Sequence, residues 1–93
     1  MQYQLRMYRV RAGELDEWIA EWRAHVLPLR REHGFDVIGP WVKRDENIFV
    51  WLIGHDDLGR ANDDYYASPE RASLDPDPAR HLADTQTWIL EPV

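Results

Sequence analysis

Residues 22–35, WRAHVLPLRREHGF, place Pro28 inside a pattern of apolar and charged residues that is typical of an amphipathic helix. A proline in a helix interior removes a backbone donor and crowds the carbonyl group four residues earlier, at a cost of about 3 kcal/mol. The helical pattern nevertheless continues on both sides of it. We therefore predict one helix with a kink at Pro28, which lets its last turn follow a curved surface.

The predicted helix covers residues 14–33. Its apolar positions recur with the spacing of one helix face. They are Leu15, Trp18, Ile19, Trp22, Val26 and Leu29. Acidic residues fill the first turn and basic residues, among them Arg30 and Arg31, fill the last, as the helix dipole favours. Gly34 follows as a left-handed stop.

Four strands are predicted around this helix, at residues 3–11, 35–44, 47–54 and 85–91. The third, NIFVWLIG, is continuously apolar, which indicates burial on both faces. The second contains Gly39-Pro40. Because proline cannot donate to a central ladder, this strand is expected at an edge, or with a bulge at that point.

A second helix is predicted at residues 57–67, where His55-Asp56-Asp57 supplies capping chemistry. Ser68-Pro69 and Asp77-Pro78 predict two further short helical turns. The order of elements is then β-α-β-β-α-β. This order indicates an α+β, ferredoxin-like single domain spanning residues 1–93, with a four-stranded antiparallel sheet and both helices on one face.

Both faces of the first strand are partly apolar, since Tyr3, Leu5 and Met7 share one parity and Arg6, Tyr8 and Val10 share the other. Two helices cover only one face, so the other requires a partner. Pairing with a second copy of the chain is the economical solution. We therefore predict a homodimer with its two sheets face to face.

Composition narrows the classes of function. The 93 residues carry a net charge of −6 and no cysteine. The negative charge argues against nucleic acid or a membrane surface as the main partner. Absence of cysteine, of a long apolar run and of a signal-peptide pattern favours a cytoplasmic protein. No histidine spacing typical of a metal site and no glycine-rich phosphate loop is present, so we expect no cofactor.

Three stretches carry a resemblance to a known family: YQLRMYRVRAG at 3–13, WRAHVLPLRREHGF at 22–35 and WLIGHDDLGRA at 51–61. Together with the last strand they resemble the NIPSNAP family of the dimeric α/β-barrel superfamily. The resemblance implies that Pro28 is a family feature and that the protein is a dimeric barrel. The proline-rich segment 67–82 departs from the family pattern. The superfamily includes cofactor-independent monooxygenases, cyclases and haem-degrading enzymes, and fold does not choose among them.

Ligand pockets of such folds lie between the sheet and the helices of one subunit. The predicted catalytic residues are His55, as acid or base near pH 7, with Tyr65 and His25. The predicted residues that bind substrate are Trp41, Trp51, Asn62, Trp22 and Phe49. Tyr66 is expected at the surface or against the dimer partner. Arg6 and Tyr8 are expected to pair with a carboxylate across the dimer.

Each assignment has a structural alternative. Tryptophans at core spacing are more often packing than a ligand cage, whereas His55 is as consistent with a helix cap as with catalysis. The predicted function is a cofactor-independent oxygenase, cyclase or isomerase acting on an apolar or aromatic metabolite. A non-catalytic binding or interaction protein is the alternative. A third candidate is haem handling through one axial histidine.

Overall fold

The predicted order of elements is present in a computed structural model that describes residues 1–93. The strands are β1 (Gln2–Val10), β2 (Asp36–Lys43), β3 (Ile48–His55) and β4 (Leu82–Leu90). The first helix comprises α1 (Leu15–Glu21), a π-helical turn (Trp22–Val26) and α2 (Leu27–Glu32), and the second is α3 (Leu58–Ala67) followed by α4 (Pro69–Ala72). Short 3-10 turns occupy Arg44–Glu46 and Pro78–His81. No helix combines the length and the apolar character that crossing a bilayer requires.

The sheet confirms the predicted ferredoxin-like topology. Its strand order is β2-β3-β1-β4, and every neighbouring pair is antiparallel. Strand β2 lies at an edge, and its register against β3 shifts between Ile38 and Trp41. The shift spans Gly39-Pro40, where Gly39 has a φ of 104°. The proline therefore lies at an edge and at an irregularity together, as its missing N–H requires.

Pro28 is accommodated by a π turn in the first helix, where a kink was predicted. The N–H group of Leu27 donates to the carbonyl of Trp22, five residues earlier, and Pro28 follows as the second residue of α2. A π turn is wider than an α turn and commonly occurs as a single insertion in a longer helix. The extra width relieves the crowding that a proline ring imposes on the preceding turn.

The π turn also sets which way α2 faces. In an unbroken α-helix, at about 100° per residue, Arg30 would lie about 120° around the axis from Trp18. A single-residue π insertion removes about 100° of that rotation. Trp18, Trp22, Val26 and Arg30 are accordingly all buried. The π turn that accommodates Pro28 thus also orients Arg30 toward the interior.

The core lies between the helices and the inner face of the sheet. Aromatic rings from three elements meet there edge to face, with Phe49 5.5 Å from Trp18 and 5.3 Å from Trp22 between ring centroids. Trp51 lies 5.4 Å from Trp22. Edge-to-face pairs are favoured by the ring quadrupoles. This cluster fixes the distance between the helices and the sheet.

The outer face of the sheet is apolar and uncovered. The register aligns one row of side chains across all four strands, consisting of Ile38, Leu52, Leu5 and Trp88. A second row contains Trp41, Val50 and Met7. Trp41 is 55% exposed and Trp88 is 44% exposed. Contiguous apolar surface of this kind marks an interaction face in soluble proteins.

The proline-rich segment 67–82 forms two capped turns. The Ser68 hydroxyl accepts from the N–H of Arg71 and donates to the carbonyl of Tyr65, at 3.1 and 2.7 Å. Asp77 accepts from the N–H of Ala79 at 2.9 Å. Both predicted cap-then-proline turns are confirmed. They carry residues of this segment against the inner layer, where they close one wall of a cavity.

Candidate functional site

A cavity of about 170 Å³ lies between the inner face of the sheet and the helices. Aromatic and basic side chains dominate its wall, and no aspartate or glutamate contributes to it. The lining residues are Arg6, Tyr8, Trp18, Val26, Arg30, Trp51, Tyr65, Tyr66, Arg71, Pro78, Ala79, Leu82 and Thr85. The predicted location of the ligand site, beneath the helices, therefore coincides with an actual cavity.

Arg6 lies in the floor of this cavity because β1 directs its even-numbered side chains toward the helices. It pairs in register with Trp51, on the inner face of β3. Its guanidinium donates to three uncharged oxygens, those of Tyr8 at 2.7 Å, Gln4 at 2.7 Å and Tyr66 at 2.8 Å. The side chain is buried yet all its partners are neutral.

Arg30 enters the cavity from α2 and is the more deeply buried of the two, at 1% exposure. It donates to the side-chain oxygen of Asn62 at 2.6 Å and to the Tyr66 hydroxyl at 3.1 Å. Its Nε atom is buried without a hydrogen-bond partner. The guanidinium carbon lies 3.8 Å from the ring centroid of Tyr65 and 4.7 Å from that of Phe35. Arginine frequently rests on aromatic faces in this way.

Tyr66 joins the two arginines. Although its residue is 51% exposed, its hydroxyl oxygen accepts from both Arg6 and Arg30. A third arginine of the wall, Arg71, differs from them because it forms an ion pair with Asp77 at 3.0 Å. Neither Arg6 nor Arg30 has a carboxylate within 4.0 Å. The cavity therefore holds two buried positive charges without protein counter-ions.

Burial and neighbours shift the ionisable groups of the wall. Burial lowers the pKa of Arg30 from its ordinary value, and the nearby Arg6 acts in the same direction. Burial also acts to lower the pKa of Arg6, but the phenol oxygens of Tyr8 and Tyr66 outweigh it and raise the pKa. Burial raises the pKa of both Tyr8 and Tyr65, so these phenols are neutral donors at neutral pH.

Several predicted site residues meet at this cavity. Trp51 and Tyr65 line it directly. Asn62 reaches it through its hydrogen bond to Arg30. Trp22 and Phe49 are buried in the core cluster behind the wall. Trp22 and Phe49 contact other core side chains, so their alternative interpretation as packing residues applies.

Other predicted residues lie elsewhere. The expectation that His25 projects into the pocket is wrong, because the π turn leaves its side chain exposed. Trp41 shares a face with Ile38 and Val50 on the outer side of the sheet, so its expected place in the pocket is also wrong.

His55 lies at the end of β3, beyond the cavity wall. Its Nδ1 accepts from the N–H of Asp57 at 2.9 Å, and its ring centroid is 5.4 Å from that of Phe35. Phe35 in turn lies 6.1 Å from Tyr65, so one ring separates His55 from the wall. Asp57 makes no side-chain cap bond, and Gln2 instead accepts from the N–H of Leu58 at 2.9 Å.

Sequence reasoning misplaced the charged residues that define the site. Arg6 and Tyr8 were expected to reach across the dimer, but they face the helices, on the same side as Val10. Arg30 was interpreted only as a dipole-favoured residue of the last turn. Its spacing of four from Val26, which is itself four from Trp22, was the signal that could have placed it on the buried face. Tyr66 is at the surface as expected, yet its hydroxyl turns inward.

One group of residues has the composition of a metal site. Oxygen and nitrogen atoms of Glu17, Glu21 and His81 lie within 4.8 Å of one another. Both ring nitrogens of His81 are engaged, by Glu14 and Glu21, each at 2.7 Å. Two carboxylate partners require both nitrogens to carry hydrogen. The cluster is therefore an imidazolium held by two glutamates, which connects α1 to the turn before β4.

Haem does not suit the cavity. A dry cavity of about 150 Å³ accommodates benzene. The present volume of about 170 Å³ therefore holds one ring system, whereas a porphyrin contains four linked rings. None of the histidines lines the wall.

An antiparallel sheet in the order β2-β3-β1-β4, covered by helices on one face with a cavity beneath them, places the chain in the ferredoxin-like α+β class. The NIPSNAP family model matches residues 3–89, and the chain belongs to the NIPSNAP family.

Several solved structures share this fold. An uncharacterized NIPSNAP domain protein from Burkholderia xenovorans is 20% identical and superimposes with a TM-score of 0.87, covering 100% of this chain and 95% of that one. A NIPSNAP family protein from Agrobacterium tumefaciens gives 17% identity and a TM-score of 0.86, over 99% and 92% of the two chains.

Beyond the family, a structure described as an antibiotic biosynthesis monooxygenase is 18% identical and superimposes with a TM-score of 0.73. The match covers 100% of this chain and 99% of that one. These likenesses show a shared fold. No functionally curated protein matches the sequence significantly.

Proposed function

We propose that the protein is a cytoplasmic homodimer that binds a small apolar or aromatic metabolite in the cavity between its sheet and helices, and acts on it as a cofactor-independent oxygenase, cyclase or isomerase. One observation carries this proposal. The cavity of about 170 Å³ has aromatic walls and a few convergent polar groups, the usual composition of a small-molecule site.

The wall supplies groups that orient a ligand. The rings of Tyr8, Trp51 and Tyr65 offer flat apolar contact, and the hydroxyls of Tyr8 and Tyr66 offer hydrogen bonds. Because burial raises the pKa of Tyr8 and Tyr65, both act as donors rather than as bases. His55, the predicted acid or base, lies behind Phe35 and out of hydrogen-bond reach of a ligand in the cavity, so Tyr65, which lines the cavity, is the proposed general acid.

The homodimer is supported by the outer face of the sheet. Two apolar rows cross all or most of the strands there, and Trp41 and Trp88 are about half exposed. A second copy would cover the same rows with an identical apolar surface. Self-complementary contacts of this kind produce two-fold dimers.

A binding protein without catalysis is the second candidate. It is favoured by the absence of any histidine from the cavity wall and by the raised pKa of its buried phenols. A site that only holds its ligand needs donors and apolar contact, and this wall provides both. The two candidates share the same site and differ in whether the ligand leaves changed.

A thermal-shift screen tests the shared claim. The panel contains small phenols, monocyclic aromatics and fatty acids, with polycyclic aromatics and haem as compounds too large for the cavity. A ligand at saturating excess stabilises a protein by a few kcal/mol, which corresponds to several degrees for a domain of this size. The matched control is Thr85→Trp, which fills the cavity from an exposed position on its wall. Stabilisation of the wild type alone supports the proposal, and no shift with any compound contradicts it.

Turnover then separates the two candidates. A hit is incubated with the protein and analysed for product by mass spectrometry. The enzyme hypothesis predicts a new product and a loss of turnover in Tyr65→Phe, with ligand affinity retained, whereas His55→Ala should keep its turnover. Unchanged ligand contradicts the enzyme hypothesis, and unchanged turnover in Tyr65→Phe contradicts the role of Tyr65.

A further inference from the structure

We propose that the ligand of this cavity is an anion, a small monocyclic aromatic carboxylate whose carboxylate group is held by Arg6 and Arg30. The inference rests on the proposed function in one respect, namely that the cavity binds a small molecule. It adds the charge and the size of that molecule.

The charge follows from the missing counter-ions. A buried charge is costly unless it is paired, and buried arginines are ordinarily paired with carboxylates. No ion pair of the chain includes Arg6 or Arg30, and both contact only uncharged oxygens. Both guanidinium groups share the oxygen of Tyr66, so their charges are also close to each other. An anionic ligand between them would neutralise this repulsion.

The unused hydrogen-bond donors agree with this assignment. Arg30 is 1% exposed, and its Nε–H has no acceptor in the protein. The indole N–H of Trp18, also in the wall, likewise has none. Tyr66 accepts twice and donates to no protein atom, so its hydroxyl hydrogen is free. A wall with surplus donors and no acidic side chain is complementary to an acceptor-only group.

The size of the cavity and its aromatic walls favour a carboxylate on a ring. A volume of about 170 Å³ accommodates one aromatic ring, by comparison with the dry cavity of about 150 Å³ that binds benzene. The planar fork of a guanidinium matches the planar carboxylate, which it binds with two parallel hydrogen bonds. The rings of Trp51 and Tyr65 supply the apolar contact that an inorganic anion would not use.

Calorimetric titration with benzoate and benzamide tests the inference. The two probes have nearly the same shape and differ in charge. We expect benzoate to bind at least tenfold more tightly than benzamide to the wild type. Arg30→Gln and Arg6→Gln should each weaken benzoate at least tenfold and leave benzamide nearly unchanged. Arg60→Gln is the matched control, because it removes one positive charge from the exposed surface of α3.

A third variant guards against misfolding of the buried substitutions. Tyr66→Phe removes only a hydroxyl from a half-exposed residue, and it should weaken benzoate several-fold without affecting benzamide. Inorganic phosphate is the third probe, and binding as tight as that of benzoate would show a simple anion site and overturn the aromatic part of the inference.

Equal binding of benzoate and benzamide would overturn the charge assignment while leaving the proposed small-molecule function intact. The charge assignment would also be overturned if benzoate did not bind while a neutral compound of the thermal-shift panel stabilised the protein. If neither the two titrations nor the panel gives binding, the proposed function fails as well.

Discussion

The guanidinium carbon of Arg30 lies 3.8 Å from the ring centroid of Tyr65. This contact brings a charge that is 1% exposed onto an aromatic face, where part of the hydration it has lost is replaced by the ring quadrupole. A purely structural residue at this position would be apolar, since such replacements of buried charges are commonly neutral or stabilising. The arginine at this buried position is therefore explained by what it binds.

Arg30→Met provides a stability test of that explanation. Methionine fills a similar length of space without a charge. Because an uncompensated buried charge is removed, we expect the free energy of unfolding to stay unchanged or to rise by about 1 kcal/mol. Urea denaturation of the ligand-free protein measures it. A fall of more than about 2 kcal/mol would identify Arg30 as a structural residue and argue against a binding role.

His81 gives the protein a pH-dependent connection between α1 and the turn before β4. Burial by itself lowers the pKa of His81, but its hydrogen bonds to Glu21 and Glu14 outweigh burial and raise it. The imidazolium therefore stabilises the fold fully below the unfolded pKa of about 6.5, and this contribution is lost as the pH rises through the raised native pKa. We expect stability to fall between these two pKa values and to remain lower above the native one. Denaturation at pH 6 and pH 9 measures the fall.

His81→Gln should remove most of this alkaline loss, and the exposed His25→Gln should preserve it. Glu21 contributes at the acidic end of the pH range, because its hydrogen bonds with Arg80 and His81 lower its pKa. Its contribution is present above an unfolded value of about 4.3 and is lost as the pH falls through the native pKa. A wild-type stability that rises between pH 6 and pH 9 would contradict this account.

Ser68 connects the second helix to the segment that closes the cavity. Its buried hydroxyl both caps α4 and donates to the Tyr65 carbonyl. Ser68→Ala should lower the free energy of unfolding by about 1–2 kcal/mol, since it removes a cap and leaves a buried carbonyl without its partner. Ser73→Ala, at the exposed end of the same helix, is the control and should cost less. Equal losses would show that the buried cap has no special role.

The dimer prediction is tested on the outer face of the sheet. Replacing Trp41 and Trp88 together with glutamate places four like charges in the proposed two-fold interface. We expect the wild type to sediment as a dimer at micromolar concentration and this double variant as a monomer. Glutamates at the exposed Ala20 and Ala67, in the helix layer, add the same charge and should leave the dimer intact. A monomeric wild type would contradict the homodimer.

Much of the fold was predictable because its signals are local. Gly39-Pro40 indicated an edge strand with an irregularity, and both occur there. Ser68 and Asp77, each followed by proline, predicted the capped turns that follow them. Pro28 was harder. A proline predicts stress on the helix, but the choice between a kink and a π turn depends on packing against the sheet.

The site was less predictable than the fold. Trp51 and Tyr65 were found because they follow the apolar spacing of a strand and of a helix, respectively. Arg30 continues the helical spacing of Trp22 and Val26, but a charged side chain is ordinarily expected at the surface. A basic residue in the last turn of a helix satisfies the dipole equally well, so the sequence offers a sufficient ordinary explanation. The inward reach of the Tyr66 hydroxyl depends on tertiary geometry alone.

The most direct test of the account is a crystal structure of the protein grown with 4-bromobenzoate, using the anomalous signal of bromine to locate the ligand. We predict bromine density in the cavity, with the carboxylate oxygens within hydrogen-bond distance of Arg6 and Arg30. Bromine found only on the outer face of the sheet or at lattice contacts, with the two guanidinium groups unliganded, would contradict the account.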